Sequence, residues 1–308
     1  MHAEALYTVA SDWPGRFLGV DAGGSGTRAV LLEGGTVTEL PPGPPMNAWL
    51  TGDFARLLEE IVRSADFTAA CIGVPGLSEP TRARELGERL TASTGAPVHV
   101  TWDGETARAG AFLGGPGVVV IAGTGSAAFG WDGERSVRVG GHGFLLGDEG
   151  SAYWIGRAAV RSALRWEDQL GGSALIHQAV TETTGSDLAT LIGQVHTHPA
   201  ERERLTVLAP VVASIASDDP EAQRILLRAA GHLAELAGGA RRGLARPAAP
   251  TLPAAGVGGV FSAPLIWDHF AHLTGAARPL APASVGAALL ARQLLTSQLP
   301  NGPVQARA

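Results

Sequence analysis

Phe17-Leu18-Gly19-Val20-Asp21-Ala22-Gly23-Gly24-Ser25-Gly26-Thr27-Arg28-Ala29-Val30-Leu31-Leu32 is the stretch whose reading decides the fold. Two short aliphatic runs flank a turn of small residues, so each run reads as a buried strand. Gly23, Gly24 and Gly26 permit positive φ and close backbone approach, and Ser25 and Thr27 add hydroxyl donors. Backbone N–H groups gathered at a hairpin tip form a concave anion site. Asp21 ends the first strand and is expected to face that site. An acid beside a phosphate cradle suits a divalent cation between them. The stretch alone leaves two readings open, Mg-nucleotide binding and a plain glycine hairpin.

The chain has 308 residues, 45% of them hydrophobic, which is enough for a sizeable core and favours two domains over one. A net charge of -6 with mixed signs points away from nucleic acid and membrane surfaces. Met1 to Gly15 lacks the layout of a secretion signal, and no stretch is apolar enough to span a bilayer. A cytoplasmic protein is expected. The single cysteine, Cys71, rules out an internal disulfide, a cysteine-rich zinc site and an intrachain four-cysteine cluster. All 23 basic residues are Arg, which excludes the P-loop lysine, the protein-kinase strand lysine and a pyridoxal Schiff base. Any phosphate chemistry must draw its positive field mainly from backbone N–H groups and a metal.

Further along, Pro41-Pro42-Gly43-Pro44-Pro45 makes a stiff loop that ends in Asn47-Ala48-Trp49. That loop end either contacts a flat polar ligand such as a sugar or is anchored by a buried Trp. Helices are expected over Asp53 to Arg63 and Pro80 to Thr94, and strands over Ala69 to Val74 and Pro97 to Trp102. Asp103 then stands at a strand end and a helix start, where ligands of open α/β sheets gather. It can act as a proton acceptor or as a helix N-cap. Val118 to Trp131 repeats the opening design, with Gly123-Thr124-Gly125-Ser126 as the small-residue turn. In Gly140-Gly141-His142-Gly143-Phe144-Leu145-Leu146-Gly147-Asp148-Glu149-Gly150, glycines are followed by acids expected at the start of a helix running to about Gln169. Asp148 is either a helix-dipole partner or a ligand for neighbouring sugar hydroxyls. Ser173 to Leu244 reads as helical, and Thr251 to Val257 as a strand entering Gly258-Gly259. The bare backbone of that turn would let an adenine or ribose lie against it.

Taken together, Asp-Ala-Gly-Gly-Ser-Gly-Thr-Arg, Trp-Asp-Gly-Glu-Thr-Ala, Ala-Gly-Thr-Gly-Ser, Gly-Asp-Glu-Gly-Ser-Ala-Tyr-Trp-Ile and Gly-Val-Gly-Gly-Val occur in that order from Phe17 to Ala291. The set resembles the N-acetylglucosamine kinase branch of the BadF/BadG/BcrA/BcrD ATPase family, within the sugar kinase, Hsp70 and actin superfamily. The resemblance implies an α/β fold of two ribonuclease-H-like domains with an interdomain cleft. The expected lobes are 1–113, with a C-terminal helix in 284–308 packing back on it, and 114–283. It further implies ATP and Mg2+, with an amino sugar phosphorylated on its 6-hydroxyl.

By resemblance, Gly23, Gly24, Ser25, Gly26 and Thr27 form the first phosphate loop and Gly123, Thr124, Gly125 and Ser126 the second. Gly258 and Gly259 match the adenosine loop, and Asp21 the position that holds Mg2+, usually through water. Asp103 matches the catalytic base. Asn47, Trp49, Asp103, Gly141, His142 and Asp148 fall at the sugar, and a homodimer is expected. Animal N-acetylglucosamine kinases have Trp where His142 stands, so glucosamine, N-acetylglucosamine and N-acetylmuramic acid all stay open. Rival readings are a non-catalytic ATP-binding protein of the same fold and an activator of acyl-CoA reductases or dehydratases. The activator needs two cysteines per subunit for an iron–sulfur cluster, and Cys71 stands alone.

Overall fold

The computed structural model describes residues 14–23, 26–46, 53–77, 79–197, 202–246 and 250–295. These divide into two compact units, one within Met1–Val119, Phe129–Val137 and Arg278–Ala308, the other within Val120–Ala128 and Arg138–Ala277.

The first unit is built on strands β1 (Arg16–Gly23), β2 (Gly26–Glu33), β3 (Thr36–Glu39), β4 (Ala69–Val74) and β5 (Val98–Trp102). Their order in the sheet is β3-β2-β1-β4-β5. β1 is antiparallel to β2 with Asp21 opposite Arg28, and parallel to β4 with Asp21 opposite Gly73. β2 and β3 are antiparallel, and β4 and β5 parallel. Short turns give the hairpins, whereas parallel neighbours need a crossover. Helices α1 (Phe54–Arg63) and α2 (Pro80–Thr94) lie in those two crossovers.

Both faces of the central strands are covered, which is why β4 is apolar and buried at every position. On one face Leu18, Val20, Ile72 and Val74 pack with Leu58 and Val62 of α1 and Leu86 and Leu90 of α2. On the other, Phe17, Ala69 and Cys71 meet Ala109 of α3 (Asp103–Ala111) and Val285, Ala288 and Leu289 of the last helix (Ala283–Leu294), α11 in chain order.

Glycines bring α3 and α11 down onto the sheet backbone. A Cβ at Gly19 would lie 2.4 Å from the Ala288 nitrogen, and one at Gly73 would lie 2.3 Å from Thr106 Oγ1. The two helices also meet each other through glycine. A Cβ at Gly286 would lie 2.1 Å from the Thr106 carbonyl oxygen.

The second sheet has the order β8-β7-β6-β9, from β6 (Gly117–Ala122), β7 (Ser126–Trp131), β8 (Ser136–Gly140) and β9 (Ala254–Val257). This order repeats β3-β2-β1-β4 of the first sheet. β9 begins at Ala254 rather than Thr251, in keeping with Pro253, which has no N–H to give a ladder. Between β8 and β9 run α4 (Ala152–Glu167), α5 (Ala174–Thr184), α6 (Leu188–Thr197), α7 (Arg202–Thr206), α8 (Leu208–Ile215) and α9 (Pro220–Leu244). A 3₁₀ turn (Gly259–Ser262) and α10 (Pro264–Thr274) follow β9. Ile225, Leu226, Ala229, Ala230, Leu233, Ala237 and Ala240 form the buried stripe of α9 at helical spacing. Among the described residues no helix is long and apolar enough to cross a membrane.

The glycine contacts give a direct test. Gly286→Val inserts atoms where only backbone now fits, and overpacking of this kind costs about 1–3 kcal/mol. Urea unfolding should show a clear drop in midpoint. An unchanged midpoint would mean that α3 and α11 separate freely.

Candidate active site

Asp21 lies near the end of β1, half-buried, with Gly73 beside it on the neighbouring strand. Asp103 is the first residue of α3, also half-buried. The cap position of α3 belongs to Trp102, so Asp103 does not take the N-cap role that the sequence left open. Its place in the first turn sets its carboxylate in the favourable field of the helix N-terminus. The two acids feel each other. Burial, first, and the Asp103 charge, second, push the Asp21 carboxyl up to about 7, against the pull of Arg28.

Like charges crowded in this way suit a hard cation. Among the described residues no group of three or more His, Cys, Asp or Glu converges to form a full cage. One or two carboxylates, with phosphate and water supplying the rest, is the usual arrangement for Mg2+. The residues present therefore fit that ion.

The first glycine turn is only partly described, since Gly24 and Ser25 lie outside the described residues, as do Asn47 and Trp49. The expectation for Thr27 needs correction. Its backbone N–H donates to the Gly43 carbonyl at 3.0 Å and its hydroxyl to the Pro44 carbonyl at 2.7 Å. Both donors are engaged in holding the proline loop, so neither is available to a phosphate in this structure. The side chain is buried accordingly. Gly23 accepts from Met46 N–H at 3.0 Å, and a Cβ on it would lie 2.9 Å from the Gly26 carbonyl oxygen.

The second turn lies entirely within the described residues. Gly123 N–H donates to the Gly125 carbonyl at 3.0 Å, and the Gly123 carbonyl accepts from Ala152 N–H at 2.9 Å, tying the turn to α4. Among the described residues no chain atom accepts from the N–H of Thr124 or Gly125. Those two groups are the available anion donors. Ser126 is buried, and its hydroxyl donates to the Glu149 carbonyl at 2.7 Å.

Asp148 does not start a helix. α4 begins at Ala152 and is capped by Ser151, whose hydroxyl accepts from Trp154 N–H at 3.2 Å. The left-handed backbone at Asp148 (φ 60) and Gly150 (φ 80) breaks the chain before that point. The helix-dipole reading of Asp148 is thereby set aside. Its Oδ1 accepts from Ser126 N–H at 3.4 Å, and its Oδ2 lies 2.8 Å from where a Gly125 Cβ would be.

Gly141, also left-handed (φ 69), donates its N–H to the Ser126 carbonyl at 3.0 Å and accepts from Arg138 Nη2 at 3.0 Å. His142 beside it is exposed. The structure thus brings Gly125, Ser126, Gly141 and Asp148 together. At the end of β9, a Cβ on Gly258 (φ 105) would lie 2.3 Å from the Ala122 carbonyl oxygen. Gly259 has open space on its Cα, which leaves room for a flat ligand.

One feature of this region escaped the sequence reading, a buried charge cluster behind α3. Arg108 is 1% exposed, reaches the Gly114 and Gly115 carbonyls at 3.2 and 2.5 Å, and stacks over Trp131 at 4.6 Å. Burial lowers its pKa to about 10, and the Glu105 carboxylate opposes the shift. Glu105 accepts from the Thr101 hydroxyl. Buried and so engaged, it is poorly placed to serve as a substitute base for Asp103. The Glu-x-x-Arg spacing on a helix of small residues was the available signal.

The chain is similar to several known proteins. The model of the BadF/BadG/BcrA/BcrD ATPase family matches residues 18–291. An N-acetylmuramic acid/N-acetylglucosamine kinase of Clostridium acetobutylicum is 30% identical over 233 residues, 70% of this chain and 76% of that protein. A provisionally assigned N-acetylglucosamine kinase structure from Chromobacterium violaceum superposes with a TM-score of 0.70 at 26% identity, covering 91% of this chain and 99% of that one. A similarly assigned structure from Porphyromonas gingivalis gives 0.71 at 20% identity, covering 90% and 99%, and speaks for the fold alone.

Two outcomes are expected. A raised Asp21 pKa means that the native chain holds a proton the unfolded chain has lost, so stability falls as pH rises from about 4 to about 7. In metal-free buffer Asp21→Asn should raise Tm at pH 8 and leave it nearly unchanged at pH 4; equal shifts at both would mean that the native chain does not hold the Asp21 carboxyl above its ordinary pKa. Gly125→Val would press on Asp148 and close the approach to the free amides, so ATP affinity measured by calorimetry should fall while the protein stays folded.

Proposed function

We propose that this chain, which belongs to the BadF/BadG/BcrA/BcrD ATPase family, is an ATP-dependent amino-sugar kinase that phosphorylates the 6-hydroxyl of N-acetylglucosamine or a close relative. The observation that carries the reading is that Asp21 and Asp103 stand at the same edge of one sheet: Asp21 is level with Gly73 of β4, Gly73 with Thr101 of β5, and Asp103 opens α3 two residues later. A proton acceptor and a cation-holding acid side by side are what transfer of a phosphoryl group to an alcohol needs.

In this reading Asp103 accepts the proton of the sugar 6-hydroxyl as that oxygen bonds to the γ-phosphorus. The bond from that phosphorus to the β,γ-bridging oxygen breaks, and ADP leaves with the electron pair. Asp21 holds Mg2+, whose part is to neutralise charge on the phosphates. The Thr124 and Gly125 amides bind phosphate oxygens, which suits a chain with no lysine to do so. Gly258 and Gly259 take the adenosine. Gly141, His142 and Asp148, with Asn47 and Trp49, hold the sugar. The curated Clostridium relative, by its name, acts on two N-acetylated sugars, which favours that class of acceptor here.

Asp103→Asn keeps the size and removes the proton acceptor. It should bind ATP and sugar nearly normally and lose kcat by roughly 10²–10⁴-fold, read from sugar-dependent ADP release. Wild-type kcat in that variant would sink the base assignment.

A further inference from the structure

Glu105 is 9% exposed and Thr101, whose hydroxyl it accepts from, is 8% exposed, so this bond lies in the interior. It joins the fourth residue of β5 to the third residue of α3 and closes a ring around Trp102, Asp103 and Gly104. The rest of this corner is equally tight. A Cβ at Gly104 would lie 2.1 Å from Trp102 Cζ3, and Trp102 meets Phe129 edge-on at 5.5 Å between ring centres. The Thr106 hydroxyl donates to the Asp103 carbonyl at 2.9 Å. Glu105 also faces charge. Arg108, one turn on, feels its carboxylate, and so do His99 of β5 and Cys71 of β4. Arg108 is itself fixed by the Gly114 and Gly115 carbonyls and by the Trp131 ring.

A buried pair of opposite charge is a poor source of net stability, because apolar side chains of like volume often do as well. A hydrogen bond to a carboxylate is, however, strong and directional. Gly104 to Ala111 are all buried, and Gly104, Ala107, Ala109, Gly110 and Ala111 carry little or no side chain to set how α3 is rotated. Glu105 ties the first turn of that helix to the strand before it. We propose that Glu105 is a positioning residue: through its bond to Thr101 it fixes the corner that carries Asp103, while Arg108 supplies the counter-charge that lets the carboxylate stay buried. The inference rests on the kinase reading and on Asp103 as its proton acceptor. Such an acceptor must meet the sugar hydroxyl in a narrow geometry, and a misplacement of about 1 Å can cost about 10²-fold in rate.

Thr101→Val keeps the shape and removes the hydroxyl donor. It should lower kcat by roughly tenfold in sugar-dependent ADP release, with KM for ATP and for N-acetylglucosamine within about twofold of wild type. Thr101→Ser, which brings the hydroxyl back, should restore kcat. Glu105→Met removes the acceptor at similar length and should lower kcat to the same extent. The double variant Thr101→Val/Glu105→Met should be no slower than either single one, because all three break the same bond. Assays run well below each variant's Tm, so that lost stability is not read as lost turnover. Should Glu105→Met fail to fold with Arg108 left stranded, the two Thr101 variants still decide. Wild-type kcat in Thr101→Val, a loss that Thr101→Ser shares, or a raised KM at unchanged kcat overturns the inference while the kinase reading stands. Additive losses in the double variant overturn it as well. Wild-type kcat in Asp103→Asn, or no turnover of sugar by wild type, removes the reading and this inference together.

Discussion

The contact of α3 and α11 with the backbone of β1 and β4 is the constraint on which the first unit depends. Gly19, Gly73, Gly110 and Gly286 each stand where a Cβ would collide with backbone or side-chain atoms closer than 2.5 Å. Interiors at crystal-like density transmit such fits rigidly. The fit at Gly73 against Thr106 sets where α3 lies, and Thr106 in turn donates its hydroxyl to the Asp103 carbonyl at 2.9 Å. Packing within the first turn of α3 therefore helps to fix the position of the candidate base.

Electrostatics follows from that packing. Pressing α3 onto the sheet brings Asp103 towards Asp21 and buries Glu105 and Arg108 together. A buried pair of opposite charge contributes little net stability, yet removing one partner is costly because the other is left stranded. The His99 imidazole, across from Cys71 in the β4–β5 ladder, is held below its usual pKa by burial, with Glu105 acting the other way. Burial, reinforced by Glu105, pushes the Cys71 thiol well up, so it behaves as a packing group rather than a nucleophile. The ionisable groups behind α3 thus keep the helix seated, while those in front of it are left for chemistry.

Much of this was legible in the residues because strand-turn-strand designs built on Val, Ile and Gly carry strong local signals. Phe17-to-Leu32 and Val118-to-Trp131 appear as hairpins in the expected places, and the closing helix from Ser284 begins one residue earlier, at Ala283. What stayed hidden depends on contacts distant in sequence. Thr27 looks like a phosphate donor until Gly43 and Pro44 fold back on it. Asp148 looks like a helix-start acid until two left-handed residues turn the chain towards Ser126. For Arg108 the Glu-x-x-Arg spacing was a faint signal only, because arginine is seldom fully enclosed and its partners are the carbonyls of a following loop.

The bond from Ser126 N–H to Asp148 Oδ1 has a thermodynamic consequence. In the assignment above, Asp148 serves the sugar and the turn before Ser126 serves the phosphates. A phosphate arriving at the Thr124 and Gly125 amides brings negative charge towards a carboxylate that already occupies the next donor. The repulsion between the two anions would loosen the hold of Asp148 on Ser126 N–H. If it were loosened in this way, the Asp148 carboxylate would turn more readily to hydroxyls, and nucleotide and sugar would then strengthen each other's binding. Linkage makes the effect reciprocal: whatever factor ATP adds to sugar affinity, sugar returns to ATP. Order of addition would then be a matter of kinetics alone, and the two half-empty complexes would both be poor ones.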